Sequence, residues 1–234
     1  KSIMQDPDAW VDLTVDNFKF QDGRMGKLFA NVKWNKHDKQ IDIDAHADDD
    51  NNVKTIIKGY VSPEKNYIDL GITAHNTNIE FLKSFCGSFM NKIDAHANGF
   101  AQVFGDLSEV NLQGLLVADG TIGISPLNTV YRLKNDTIRM VPDEIIFKGD
   151  TVTDRHGNVA TVTGALHHKH LTRLTFDLGI HANKFLCYDF NDYGNNSFYG
   201  TVYGTGDCNI TGRPHSLVFD IDMAPNKGSF IEYN

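Results

Sequence analysis

The sequence predicts an all-β protein, one elongated unit of repeated strands. Three observations carry this reading: period-two alternation of apolar and polar residues recurs along the chain, turn-forming residues precede each recurrence, and helical spacing is confined to one short stretch. Because successive side chains of a strand point to opposite faces, alternation assigns each strand one apolar face.

The first copy sets Ile41, Ile43, Ala45 and Ala47 against Asp42, Asp44, His46 and Asp48. The second sets Ile68, Leu70, Ile72 and Ala74 against Asp69, Gly71, Thr73 and His75. A shorter third runs from Ile93 to Asn98, and a fourth places Leu174, Phe176, Leu178, Ile180 and Ala182 around Thr175, Asp177, Gly179 and His181. A fifth sets Leu217, Phe219, Ile221 and Met223 against Val218, Asp220 and Asp222, so the pattern reads as an internal repeat. Ser62-Pro63-Glu64-Lys65-Asn66, Asp154 to Asn158 and Gly212-Arg213-Pro214-His215 supply the chain reversals. Only residues 78–90 have helical spacing, with Asn78 as N-cap, Ile79, Leu82, Phe85, Cys86 and Phe89 on one stripe, and Gly87 interrupting it. One short helix is expected there.

The chain has 234 residues, 41% hydrophobic and 22% charged, enough for a sizeable core. With 22 Lys+Arg against 30 Asp+Glu the net charge is −8, the wrong sign for neutralising nucleic-acid phosphates. Nothing approaches the roughly 18 uninterrupted apolar residues of a membrane span. The chain starts at Lys1 without a basic and apolar leader, so it is read as a mature protein or an excised segment. No Pro/Ser-rich linker divides it, and residues 1–234 form a single unit. Cys86, Cys187 and Cys208 match no zinc or redox spacing; Cys187 and Cys208 are the pair near enough in sequence to sit on neighbouring strands.

The apolar faces have two outcomes: burial against each other as a sandwich core, or an open repeat whose concave wall needs a ligand or partner. Other constellations are less telling. His168 and His170 share a face if His167-His168-Lys169-His170 is a strand, but no third ligand is in view and a solvated face is favoured. Asp48-Asp49-Asp50-Asn51-Asn52 lacks the glycine and terminal glutamate of an EF-hand loop, so it is read as a polar turn. Gly200, Gly204 and Gly206 lie in strand composition with no helix after them, against a phosphate cradle. Asp220 and Asp222 fall on the polar side of an alternating strand, and no G-x-S-x-G, H-E-x-x-H or P-loop occurs. The expectation is a non-enzyme without cofactor or metal.

Beside this reading stands a resemblance. Phe81-Leu82-Lys83-Ser84-Phe85, Ile93 to Gly99, Val103 to Leu107, Val110 to Gly114 and Ala118-Asp119-Gly120 follow one another in an order that resembles the TamB-type translocation and assembly module proteins. Pro142 to Phe147, Asp154 to Gly157, Gly164 to His168, Phe198 to Val202 and Ile210 to Gly212 continue it, so that it spans about residues 60 to 234. Residues 1 to 58 fit only as generic repeats of the same kind. Neither the N-terminal membrane anchor nor the barrel-docking end of that family is recognisable, which marks the chain as an internal or near-terminal segment.

The resemblance implies a β-taco, a long curved sheet folded into an open trough with an apolar concave face. It implies a periplasmic place between inner and outer membranes, with the full-length protein anchored in the inner membrane and partnered by an outer-membrane β-barrel. It implies outer-membrane biogenesis, as a conduit for phospholipid acyl chains. The residues expected to line the groove are Ile41, Ile43, Ile68, Leu70, Ile72, Leu112, Leu116, Leu174, Phe176, Leu178, Ile180, Leu217, Phe219, Ile221 and Met223; their other role is closed core. Two rival functions remain. One is a chaperone module holding client β-strands of outer-membrane proteins at a sheet edge. The other is a closed sandwich or solenoid binding carbohydrate on Tyr188, Tyr193, Tyr199 and Tyr203.

Overall fold

A computed structural model describes residues 9–21, 23–49, 52–86, 89–170, 172–194 and 196–233. The described residues form fourteen strands. They are β1 (Trp10–Phe20), β2 (Gly23–Asn35), β3 (Gln40–Asp49), β4 (Asn52–Ser62), β5 (Tyr67–Asn78), β6 (Met90–Asp106) and β7 (Asn111–Ile124). Then follow β8 (Thr129–Val141), β9 (Glu144–Thr153), β10 (Val159–Lys169), β11 (Thr172–Phe190), β12 (Phe198–Arg213), β13 (Ser216–Pro225) and β14 (Phe230–Tyr233). The five alternating runs lie in β3, β5, β6, β11 and β13, and the three expected reversals join β4 to β5, β9 to β10 and β12 to β13.

All strands belong to one antiparallel sheet that runs in chain order from β1 to β13, with β14 pairing β12 beside β13. The sheet does not close. Consecutive strands from β1 to β13 pair antiparallel, and the apolar side chains of neighbours meet directly across the ladder. Leu13, Ala30, Ala45, Ile57, Ile72, Ala101 and Gly114 are successive cross-strand partners from β1 to β7. Met140, Ile145, Leu166, Phe176, Gly212 and Leu217 carry the same row on to β13. A single row of apolar or glycine positions thus crosses thirteen strands, a contour of roughly 58 Å at the usual strand spacing.

So long a sheet must curl, and contacts between distant strands show that it does. The Tyr131 hydroxyl on β8 donates to the Leu186 carbonyl on β11 at 2.9 Å, and the Tyr131 and Phe185 rings are 4.7 Å apart. Gly114 sits in the concave row with φ +142, where a Cβ would overlap the Phe100 carbonyl oxygen. Its bare Cα lets adjacent strands bend toward the concave side.

Between β5 and β6 the short helix expected near residues 78–90 is present: a 3₁₀ turn at Glu80–Leu82 leads into one helical turn, α1 (Lys83–Cys86). The Asn78 side chain accepts the Glu80 N–H at 2.8 Å, so it begins the segment as its type suggests. Phe81 packs edge-on against Phe20 and backs onto Gly23. Gly87 and Ser88 lie outside the described residues, as do Asp50 and Asn51 of the acidic turn.

Cys187 and Cys208 lie on neighbouring strands, as their spacing suggests, but out of register, since Cys208 faces Ile180; all three cysteines are free thiols. One expectation changes. His168 is buried rather than solvated, because it follows Leu166 on the concave side of β10 while His167 turns outward to Glu144 at 3.2 Å. His170 falls in the turn beyond β10 with φ +49.

Candidate functional site

The concave face is the candidate site, and its two halves differ. In β3, β5 and β7 the expected lining residues Ile41, Ile43, Ile68, Leu70, Ile72, Leu112 and Leu116 are all half-buried. Pairing brings them into adjacent rows: Ile41, Val61 and Ile68 in one, and Ile43, Gly59, Leu70, Val103 and Leu112 in the next. No charged side chain interrupts these rows. Except for Leu116, these seven lie outside both clusters of fully buried residues.

In the second half the same face is covered. Phe176 is 3% exposed and Leu178 9%, within a cluster that includes Phe89, Ile124, Tyr131, Phe185 and Ile210. Leu174, Ile180, Leu217, Phe219 and Met223 pack against that cluster. Ile221 shares a row with Ile180 and Cys208 but is 62% exposed, because β13 is an edge strand. Fully buried alanines, Ala95, Ala97, Ala118, Ala160 and Ala182, line one margin of the face, where their small size lets walls approach.

Outside, the sheet carries a polar ladder. Asn31 donates to Asp12 at 2.8 Å, Lys58 pairs with Asp44 at 3.0 Å, Gln102 donates to Asp69 at 2.6 Å, and Gln113 donates to Gln102 at 2.7 Å. A water-facing polar surface and a half-exposed aliphatic one on the same strands make an amphipathic wall. This wall can shelter apolar chains. Among the described residues no group of three or more His, Cys, Asp or Glu could hold a metal. An open hollow of about 630 Å³ lies elsewhere, among Asp16, Arg24, Lys27, Phe29 and Asp48, and its charges are paired as Arg24 with Asp49 and Lys27 with Asp16.

The tyrosines of the carbohydrate alternative are engaged by their neighbours. Tyr188 donates to the Phe198 carbonyl and Tyr199 to Glu232, while Tyr203 meets His156 at 3.0 Å and Tyr193 packs on Tyr199. Sequence reading passed over lining positions that only pairing reveals, including Ile57, Val61, Val103, Met140, Ile145 and Leu166. Thr55, Ile57, Gly59 and Val61 do alternate, but adjacent Ile56 blurs the period, and Ile145-Ile146 does the same on β9.

Fold and face define a non-closing antiparallel β-trough with an apolar concave wall. No family model matches the chain, and no curated protein and no solved structure matches it.

Proposed function

We propose that this chain is a non-enzymatic segment of a phospholipid conduit, acting in outer-membrane biogenesis between the inner and outer membranes. One observation carries the reading: the half-exposed aliphatic rows of β3 to β7, continuous with an apolar row that crosses thirteen strands. Each methylene moved from water onto such a wall gains roughly 0.8 kcal/mol. Because the attraction is non-directional, an acyl chain held there slides between equivalent positions. Head groups stay in water at the open side. The periplasmic location, inner-membrane anchorage of the full-length protein and an outer-membrane barrel partner belong to the same proposal and rest on the ordered TamB-type segments. No described helix is long and apolar enough to cross a membrane.

Mass spectrometry of gently purified protein tests the reading, together with a photocrosslinking residue at position 70 or 69. Phospholipid recovered with the protein and captured from 70 but not 69 supports it. Equal capture from both positions, or from neither, would falsify it. A second reading, a client strand added to a sheet edge, is favoured by β13, which pairs β12 over ten residues without a register shift and leaves Val218 and Ile221 exposed. Peptide rather than lipid in the purified protein would put that reading ahead.

A further inference from the structure

The two open edges of the sheet are unlike. β1 is interrupted by register shifts between Val15 and Lys19, with Asn17 at φ +55, and its acids are already engaged. Asn31 donates to Asp12 at 2.8 Å and Lys27 pairs with Asp16 at 3.1 Å. Irregularity of this kind twists an edge away from a further strand. β13 instead pairs β12 from Gly204 to Arg213 with no shift, and no described strand lies on its other side. Alternate residues of β13 turn their N–H and C=O groups to that open side. No lysine guards it, and its one proline, Pro225, is its last residue.

The side chains of β13 describe the neighbour it lacks. Elsewhere on the outer face, carboxylates draw partners from the adjoining strand: Lys58 pairs with Asp44 at 3.0 Å, Gln102 donates to Asp69 at 2.6 Å, and His181 meets Asp207 at 2.8 Å. Asp220 and Asp222 stand opposite Asn209 and Asp207 of β12, are exposed, and have no hydrogen bond or ion pair among the described residues. Thr205 to Thr211 of β12 and Val218 to Asp222 of β13 place Asp207, Asp220 and Asp222 on that outer surface, with no lysine or arginine among them. Cations for Asp220 and Asp222 therefore have to come from the open side. On the concave side Phe219 and Met223 are half-buried, and Ile221 between them is 62% exposed.

We propose that β13 is a docking edge for an extended segment of another polypeptide, added as an antiparallel strand in which lysine or arginine alternates with aliphatic residues. Main-chain bonds hold such a strand, its aliphatic side chains extend the concave rows beside Phe219, Ile221 and Met223, and its cations meet Asp220 and Asp222. Charge selects this occupant over a second copy of the chain. Another β13 would bring the same two aspartates to the junction, and β1 would bring Asp12 and Asp16; like charges directly opposite destabilise a strand pair. The acidic outer row also supplies discrimination that backbone pairing lacks, because every extended chain offers the same N–H and C=O groups. This docking edge rests on the strand-addition reading, whose partner it names, and is independent of the conduit.

Two synthetic decapeptides test it against the whole chain by fluorescence anisotropy, one alternating lysine with valine and one alternating glutamate with valine. The lysine peptide is expected to bind about tenfold or more tighter, with an advantage that shrinks as salt is raised. Asp220→Asn combined with Asp222→Asn, both at exposed positions, should keep the melting temperature and remove most of that advantage, whereas Asp12→Asn on the opposite edge should leave it unchanged. Equal binding of the two peptides, or a preference that survives the double substitution, overturns the proposal. Amide hydrogen exchange reads the backbone: saturating lysine peptide should slow exchange in β13 and not in β1. Binding without protection of β13, or with protection of β1 instead, overturns it as well. Phospholipid capture from position 70 is scored apart. Its absence removes the conduit while peptide binding at β13 still stands, and capture without peptide binding does the reverse.

Discussion

Phe89, at the threshold of β6, packs on Phe176 of β11 with ring centroids 5.0 Å apart and the rings tilted by 60°. The two residues lie five strands apart in the sheet, so their contact is made across the trough rather than along it. It marks where the open groove becomes a core.

Truncating this pair should therefore be costly. Phe176→Ala is expected to lose about 3–5 kcal/mol of stability, and Phe89→Ala a comparable amount. A double-mutant cycle in urea should return a coupling of about 1 kcal/mol, whereas Leu70→Ala paired with Phe176→Ala should show none beyond error.

Charge should separate the two halves of the face. An aspartate at Leu178 would keep its water only if the face were open there; the burial of Leu178 among Phe176 and Ile210 predicts unfolding instead. Leu70→Asp, on the half-exposed section, should fold with a near wild-type melting temperature and lose lipid capture. Circular dichroism of both variants checks the contrast.

Acid should weaken the protein through His168. Burial lowers its pKa below the ordinary 6.5, against the pull of Asp143, so the unfolded chain binds the proton more tightly. Its contribution is intact above about pH 6.5 and lost as pH falls toward the lowered value. Thermal unfolding across that range should show this loss, and His168→Gln should remove that part of the slope.

Asp154 ties the β9–β10 turn to β11. Its carboxylate accepts the His156, Asn158 and Leu186 N–H groups at 2.8, 3.0 and 2.9 Å and the Asn158 side-chain amide at 3.0 Å. Asp154→Ala leaves these donors without their acceptor and should cost about 2–4 kcal/mol, read as a shift of the urea midpoint.

The thiols should be slow. Burial pushes Cys187 up to about 11, and Cys86 likewise, so few thiolates exist near neutral pH. A chromogenic disulfide reagent should titrate the native protein sluggishly and all three cysteines promptly after unfolding.

Alternation in β3, β5, β6, β11 and β13 was legible because period two belongs to the strand itself and needs no partner. Strands such as β4 and β9 were blurred because Ile56-Ile57 and Ile145-Ile146 put apolar side chains on both faces. The short helix was legible too: Ile79 and Phe89 share the stripe as core residues, and the 3₁₀ turn and α1 fall inside it.

By itself, the sequence determined the strand class, the turns and the membership of one apolar face, because backbone geometry projects neighbouring side chains to opposite sides. Whether that face is groove or core was decided only in three dimensions. Ile43 and Phe176 carry the same local pattern, yet one is half-exposed and the other is covered by Phe89, a residue far away in the sequence. Curling brings Tyr131 to Leu186 and the concave wall of β10 to β12 against its own opposite side. Exposure depends on that long-range closure, which alternation between nearest neighbours does not encode.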